Sequence, residues 1–387
     1  MVMQGTDMKI AETPTEGLTD HTTPDSYQQW LDDEGVLVHK EFYFPNIKEI
    51  EVGPWERKGG KGAVIHIDNR HMPNDCHVVE INPGGKSEPE HHMYEEVMYV
   101  VSGRGATSVW HQEGSKSTFE WTAGSLVVIP LNSTYQHFNG SGTDHARYVS
   151  MTNAPPVMRM FKSNDFIFNN PYQFEDRFSG QDEDFFNGQG ELFRRKGSKF
   201  GTMWKTNFVP NADIMKLWQY RDRGAGGINT HFDLANNVTG THISEFPVGT
   251  YKKGHRHGPG AHLVILGGTG FSVLWWDNEK KDYSIHPWKK GGMVIVPAEA
   301  TFHQHFNTGA DPARYLALRA GDGQPSGWGE SNVSIKDGGM QIEYEDEDPE
   351  IHRIFEEKLA ENGAPCRMKA FLPYCTGEVG PTNEKDT

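Results

Sequence analysis

The apolar positions of this chain fall in short runs that stop at glycine or proline. VMYVV (97–101), SLVVIP (125–130), LVILGG (263–268) and MVIVP (293–297) are examples. Runs this short, rich in β-branched and aromatic residues and bounded by turn formers, predict strands rather than helices. Two segments break the pattern. SYQQWLDDEG (26–35) predicts a short helix ended by Gly35. DPEIHRIFEEKLAENG (348–363) predicts a longer one, with Asp348 as N-cap, Pro349 in the first turn and Gly363 as the stop. Its apolar stripe is Ile351, Ile354, Phe355 and Leu359.

The strand pattern occurs twice. EHHMYEEVMYVVSGRG (90–105) parallels HRHGPGAHLVILGGTG (255–270), each copy ending in G-x-G at an offset of 165. The strands ATSVW and FSVLW follow. Then GSLVVIPLNSTYQHFNGSGTDHARYVSM (124–151) parallels GMVIVPAEATFHQHFNTGADPARYLAL (292–318), and the QHFN segments align at an offset of 168. Two matching blocks of roughly 60 residues each predict two copies of one small antiparallel sandwich or barrel. The expected layout is an N-terminal arm with a short helix (1–50), a first barrel (51–160), an inter-barrel segment without steady period (161–235), a second barrel (236–320) and a tail with a helix (321–387). Residues 1–24 are expected to be poorly ordered.

Composition narrows the function. The formal charge is −16 over 387 residues, which disfavours nucleic acid and anionic membrane surfaces as partners. Three cysteines without a C-x-x-C pair fit a reducing compartment. The first twenty residues carry no apolar signal region, so a cytoplasmic location is expected. The acidic run EYEDED (343–348) reads as a solvated face, with a calcium site as the alternative.

The chemistry concentrates in the second copy. His255 and His257, two residues apart, share one face of an extended segment. Two converging imidazoles are half of a metal site, although two unrelated surface histidines would give the same local sequence.

These blocks resemble the cupin superfamily, whose first motif is roughly G-x5-HxH-x3,4-E-x6-G and whose second is G-x5-PxG-x2-H-x3-N. Gly249, His255 and His257 fit the start of the first motif, and His303 with Asn307 fits the end of the second. In the first copy Glu96 and Gly103 keep the end of the first motif, and Gly124 and Pro130 the start of the second. The resemblance implies an all-β bicupin of two tandem double-stranded β-barrels with short helices, one of them near the C-terminus.

Ala261 stands where the motif carries its glutamate. A three-histidine set of this kind resembles the gentisate and salicylate 1,2-dioxygenases, bicupins that hold Fe(II) with three histidines, though in their N-terminal barrel. That resemblance implies His255, His257 and His303 as ligands and His305 as a catalytic group beside the substrate. Fe(II) is the expected ion, with Mn, Ni or Zn as alternatives. The partners implied are a small, oxygenated, hydroxyaromatic substrate and O2, in a homo-oligomer. The motif also permits a four-residue spacing, which places His262 at the glutamate position; a bulge at Gly258–Pro259–Gly260 would turn it to the metal. His305 is a further possible ligand.

With three neutral ligands the ion keeps its full charge, which favours an anionic chelating substrate. Arg314, Tyr251 and Trp275 are the candidate substrate-binding residues, each with a packing role as the alternative. In the first copy Glu90, His92, Glu96 and His137 make a possible second metal site, the alternative being a structural barrel that retains the shell of one. Two further readings stand beside the dioxygenase: a metal-dependent decarboxylase, isomerase or hydrolase, and a non-catalytic ligand-binding bicupin.

Overall fold

The computed structural model describes residues 23–67, 72–111, 114, 116–194, 203–220, 222–276, 281–298, 301–320 and 332–377. Most of the expectation about residues 1–24 lies outside them. The two sequence copies fold as two barrels, each made of a large, mainly antiparallel sheet and a small antiparallel one. In the first, the large sheet runs in the order 37–39, 60–65, 75–81, 146–152, 96–102, 126–129, 208–209, and the small one in the order 134–139, 104–110, 117–122. In the second, the large sheet includes 228–234, 242–246, 313–318, 261–267 and 293–296, and the small one runs 284–289, 269–275, 302–307.

Neither barrel is built only from its own block. Tyr43–Phe44, in the N-terminal arm, pairs with Met293–Val296 at the edge of the second barrel. Phe208–Val209, between the barrels, pairs with Leu126–Ile129 of the first. The second barrel also takes Ile228–Leu234, ahead of the expected start at 236. The exchanged strands cap edges that would otherwise expose unpaired backbone groups. A buried apolar cluster joins the two large sheets, with Val78, Val149 and Met151 from the first and Val264, Ile295 and Leu316 from the second.

The repeated G-x-G has a steric cause in both copies. Gly103 and Gly268 have φ of 89° and 79°, a region that favours glycine. A Cβ on Gly105 would lie 2.0 Å from the Phe138 carbonyl oxygen, and one on Gly270 would lie 1.9 Å from that of Phe306. The small sheet therefore closes over a bare backbone in each barrel.

Both helices form as their caps predict. Ser26–Glu34 ends at Gly35, and Pro349–Asn362 begins with the Asp348 side chain accepting from the Glu350 N–H and ends at left-handed Gly363. The second helix buries Ile351, Ile354, Phe355 and Leu359 against the outside of the second barrel, beside Tyr251, Phe271 and Phe306. The acidic run before it is not simply a solvated face. Glu347 is buried and accepts hydrogen bonds from Tyr251 Oη at 2.5 Å and Gln304 Nε2 at 2.6 Å. No described helix is long and apolar enough to cross a membrane.

Candidate metal centre

The segment 249–257 runs along the mouth of the second barrel and pairs with strand Phe302–Asn307. Tyr251 bridges Phe306, and His255 bridges His303. That pairing brings His255, His257 and His303 together, with one ring nitrogen from each within 4.8 Å of the others. The His255–His303 and His257–His303 ring centroids lie 4.1 and 4.6 Å apart. All three are buried.

His255 Nδ1 lies 2.9 Å from the Lys253 carbonyl oxygen, which fixes it as the protonated nitrogen and leaves the Nε2 lone pair for a ligand. Burial, reinforced by the positive charge of Arg223 and the neighbouring imidazoles, holds His255 well below its usual pKa. Burial and Arg223 likewise push His303 down to about 3. Burial and Arg319 depress His257. Three imidazoles kept neutral with converging lone pairs are the donor set a divalent transition ion needs.

Strand alternation explains who else faces this centre. In Phe302–Asn307, His303 and His305 point inward. Gln304 points outward to Glu347. In Ala313–Leu318 and its continuation, Tyr315, Ala317 and Arg319 face the cavity. Ile228–Leu234 contributes Asn229 and His231, and His242–Phe246 contributes His242 and Ser244. Arg223 and Lys252 complete the wall. The cavity is small, about 40 Å³. Among its described lining residues are three cationic side chains and no Asp or Glu. Burial lowers the pKa of Lys252, whose Nζ donates to Ser244 Oγ and, at 3.0 Å, to Tyr315 Oη.

His305 is held by a polar chain. Its Nδ1 lies 2.7 Å from Ser272 Oγ, which also accepts from Trp288 Nε1 at 3.0 Å. The first barrel repeats the device with His137, Thr107 and Trp121, at 2.7 and 2.9 Å. What differs is that His305 opens onto the cationic cavity.

Several expected site residues stand elsewhere. His262 faces away from the triad, toward the first barrel, with Nδ1 2.8 Å from Asn74 Nδ2. Ala261 takes the cavity-facing position, because the strand keeps unbroken register from Ala261 to Val264 and its one shift, between Ile265 and Gly267, lies beyond. Arg314 lies on the outward face of its strand. It pairs with Glu245 at 3.0 Å and donates to the Ala212 and Met215 carbonyls, so it ties the inter-barrel segment to the sheet. Tyr251 packs outside the barrel against Phe306 and Phe355. Trp275 stacks on Phe302 in the same outer core.

In the first barrel the equivalent positions bind one another in part, while Glu96 Oε1 and His137 Nε2 make no hydrogen bond. Glu90 bridges Tyr135 as His255 bridges His303. Lys58, 1% exposed, places its ammonium 2.9 and 2.7 Å from the two Glu90 carboxylate oxygens. Tyr135 Oη donates to Glu96 Oε2 at 2.7 Å, and His92 Nε2 lies 3.1 Å from the same oxygen. In the possible second metal site of Glu90, His92, Glu96 and His137, an ammonium thus takes up both Glu90 oxygens and a phenol takes up Glu96 Oε2.

Residues 77–152 match the family described as Cupin domain. A probable oxalate decarboxylase of the fungus Arthroderma benhamiae is 33% identical over 121 residues, 30% of this chain and 29% of that protein. An oxalate decarboxylase of the same fungus is 29% identical over 121 residues, 30% of this chain and 27% of that protein. The chain thus spans less than a third of the length of the curated relatives it matches. The oxalate decarboxylase of Lactobacillus farciminis, solved as a formate complex, is 13% identical with a TM-score of 0.45, over 73% of this chain and 86% of that one. The architecture is that of two tandem cupin double-stranded β-barrels. The family match falls on the first barrel, whereas the three-histidine centre is in the second.

Proposed function

We propose that the protein is a metal-dependent, non-redox cupin enzyme that decarboxylates a small carboxylate substrate in its C-terminal barrel. The observation that carries this reading is the conjunction of the His255–His257–His303 centre with a buried cavity lined by Arg223, Arg319 and Lys252 and by no described carboxylate. A buried cationic wall favours a small anion over a neutral ligand. The partial matches to oxalate decarboxylases support this reading over the dioxygenase suggested by the three-histidine set. Oxalate is the first substrate to test.

A divalent ion held by His255, His257 and His303 would supply a Lewis acid that polarises the substrate carboxylate. The chain's own residues do the rest. Arg223 and Arg319 seat the carboxylate oxygens through charge-assisted hydrogen bonds. When the C–C bond breaks, CO2 leaves and the electron pair stays on the remaining carbon, which then takes a proton. Lys252 is the donor, because it faces the cavity and burial makes its proton easier to release. Solvent returns that proton. For hydrogen oxalate the balance is CO2 plus formate, with no oxidant consumed. His305, buried and held well below its usual pKa by burial and by His303, stands neutral beside the substrate as a proton acceptor.

One observation favours the dioxygenase as a second reading: with Ala261 facing the cavity, no carboxylate offsets the charge of the ion. The two readings separate in a single assay. The metal-loaded protein is offered oxalate and a panel of hydroxyaryl acids while CO2, formate and O2 are followed. CO2 release without stoichiometric O2 uptake supports decarboxylation. Uptake of one O2 per turnover with ring cleavage supports the alternative.

A further inference from the structure

A second cluster of metal-binding side chains lies outside the barrel, in the C-terminal tail. His352 and Glu356 sit one turn apart on helix Pro349–Asn362, and Cys366 and Cys375 come from the segment that follows. One ligand atom from each lies within 4.8 Å of the other three. We infer that these four residues form a second metal site, of the class that takes Zn²⁺, which pins the tail to the barrel and is independent of the reaction proposed above.

Three features point to an ion. The first is the donor set. Two cysteines, a histidine and a carboxylate are zinc ligands, and four protein ligands make a closed structural site. The second is the spacing. The sulfurs lie 3.5 Å apart, beyond bonding distance and close to the ~3.8 Å expected for two thiolates on one tetrahedral zinc with bonds of ~2.3 Å.

The third is an orphaned nitrogen. His352, 4% exposed, has its Nε2 3.0 Å from Glu356 Oε1, yet Nε2 makes no hydrogen bond. The other ring nitrogen explains why. Tyr251 Oη donates its one proton to Glu347, so its contact with His352 Nδ1 at 3.2 Å requires the histidine to donate there. Nε2 and the Glu356 oxygen then face each other across a position for a cation, a proton or a metal ion. Tyr251 acts as the outer partner that orients a metal-bound imidazole.

The backbone prepares the approach. Arg367 N–H donates to the Gly249 carbonyl at 2.8 Å. A Cβ on Gly249 would lie 1.9 Å from the Pro365 oxygen, so only glycine lets the tail seat there. The site therefore clamps the tail onto the start of the segment that carries His255 and His257.

The test uses the full chain, purified under reducing conditions and loaded with Co²⁺ in place of zinc. Thiolate-to-cobalt charge-transfer absorption is expected, a signature that the all-histidine centre of the barrel cannot give. C366S/C375S should lose that band and one equivalent of metal per chain. H257A/H303A should keep the band and lose a different equivalent, which separates this site from the proposed catalytic one. Should the double cysteine variant not fold, the wild-type spectrum alone decides. Absence of the thiolate band in reduced protein overturns the inference. So does recovery of Cys366 and Cys375 as a disulfide from that protein, or an unchanged metal count in C366S/C375S.

Discussion

His255 and His303 exchange both of their backbone hydrogen bonds, at 3.1 and 2.8 Å, and so hold their imidazoles side by side at the mouth of the second barrel. Glu90 and Tyr135 make the same exchange in the first barrel, at 2.8 and 2.9 Å. One backbone frame thus carries two different sets of side chains. His257→Ala is expected to lose the barrel metal and all turnover, whereas His92→Ala keeps both. Metal analysis of the two purified variants, alongside the assay, checks this; equal losses would mean that the barrels share the work.

The cationic wall makes a separate prediction. Arg319→Gln removes one charge-assisted contact to the substrate, worth about 1.5–3 kcal/mol. KM is expected to rise roughly 10- to 150-fold with metal content unchanged. A variant with wild-type KM would place the substrate elsewhere.

His305 faces the cavity without belonging to the metal set. His305→Ala should retain the metal and turn over ~10²-fold more slowly or worse, the usual size of a general acid–base contribution. Lost metal would make His305 a ligand. Unchanged turnover would reduce it to the structural role that His137 fills in the first barrel.

Lys58 is predicted to matter for stability alone. It is almost fully buried against Glu90. Lys58→Met leaves the carboxylate buried and uncompensated, at an expected cost of about 3–5 kcal/mol. Lys58→Met/Glu90→Gln should recover most of that loss. Urea unfolding of the two variants decides, and a neutral single variant would contradict the pairing.

Acid should act through Asp75. Burial would raise its pKa, but His77 and hydrogen bonds from Thr152 and Tyr27 prevail and hold it at about 2. Its folded pKa lies below the unfolded one, so its contribution is present above about pH 4 and is lost as the pH falls toward 2. The contribution is on the order of 2 kcal/mol. Asp75→Asn should lower stability near neutral pH and flatten the wild-type decline between pH 4 and 2. Parallel pH curves for the two proteins would refute the assignment.

What could be read from the chain follows the regularity of its strands. The doubled pattern, the G-x-G turns and the capped C-terminal helix are local signals, and the folded chain realises each of them. Inside the barrel, alternation sorts His303 and His305 from Gln304 and explains why Arg319, not Arg314, reaches the cavity. In the described segment 249–257, alternation breaks at Lys253–Gly254. Strict period two would face Tyr251 inward with His255, but the break sends Tyr251 outward and turns Lys252 in. A break between two lysines and a glycine leaves no hydrophobic signature.

Arg223, His231 and His242 were hidden for another reason. They come from a stretch without steady period, or from its edge; His231 and His242 reach the site through the pairing of Ile228–Leu234 with His242–Phe246, and Arg223 through its carbonyl, which accepts from the Lys253 N–H. Lys58 sits just ahead of Gly59 and Gly60, and nothing local says that it ends inside the first barrel. The tail cluster needed the helix and the chain after it to fold back together, which cysteine spacing alone does not reveal.

The most direct test is to locate the metal. Crystals of the metal-loaded protein, measured at the absorption edge of the bound ion, should show an anomalous peak within ~2.0–2.2 Å of nitrogens from His255, His257 and His303. No peak is expected among Glu90, His92, Glu96 and His137, and a peak at the tail cysteines bears only on the second site. A barrel metal found solely in the first barrel, with the His255–His257–His303 centre empty, would contradict the account.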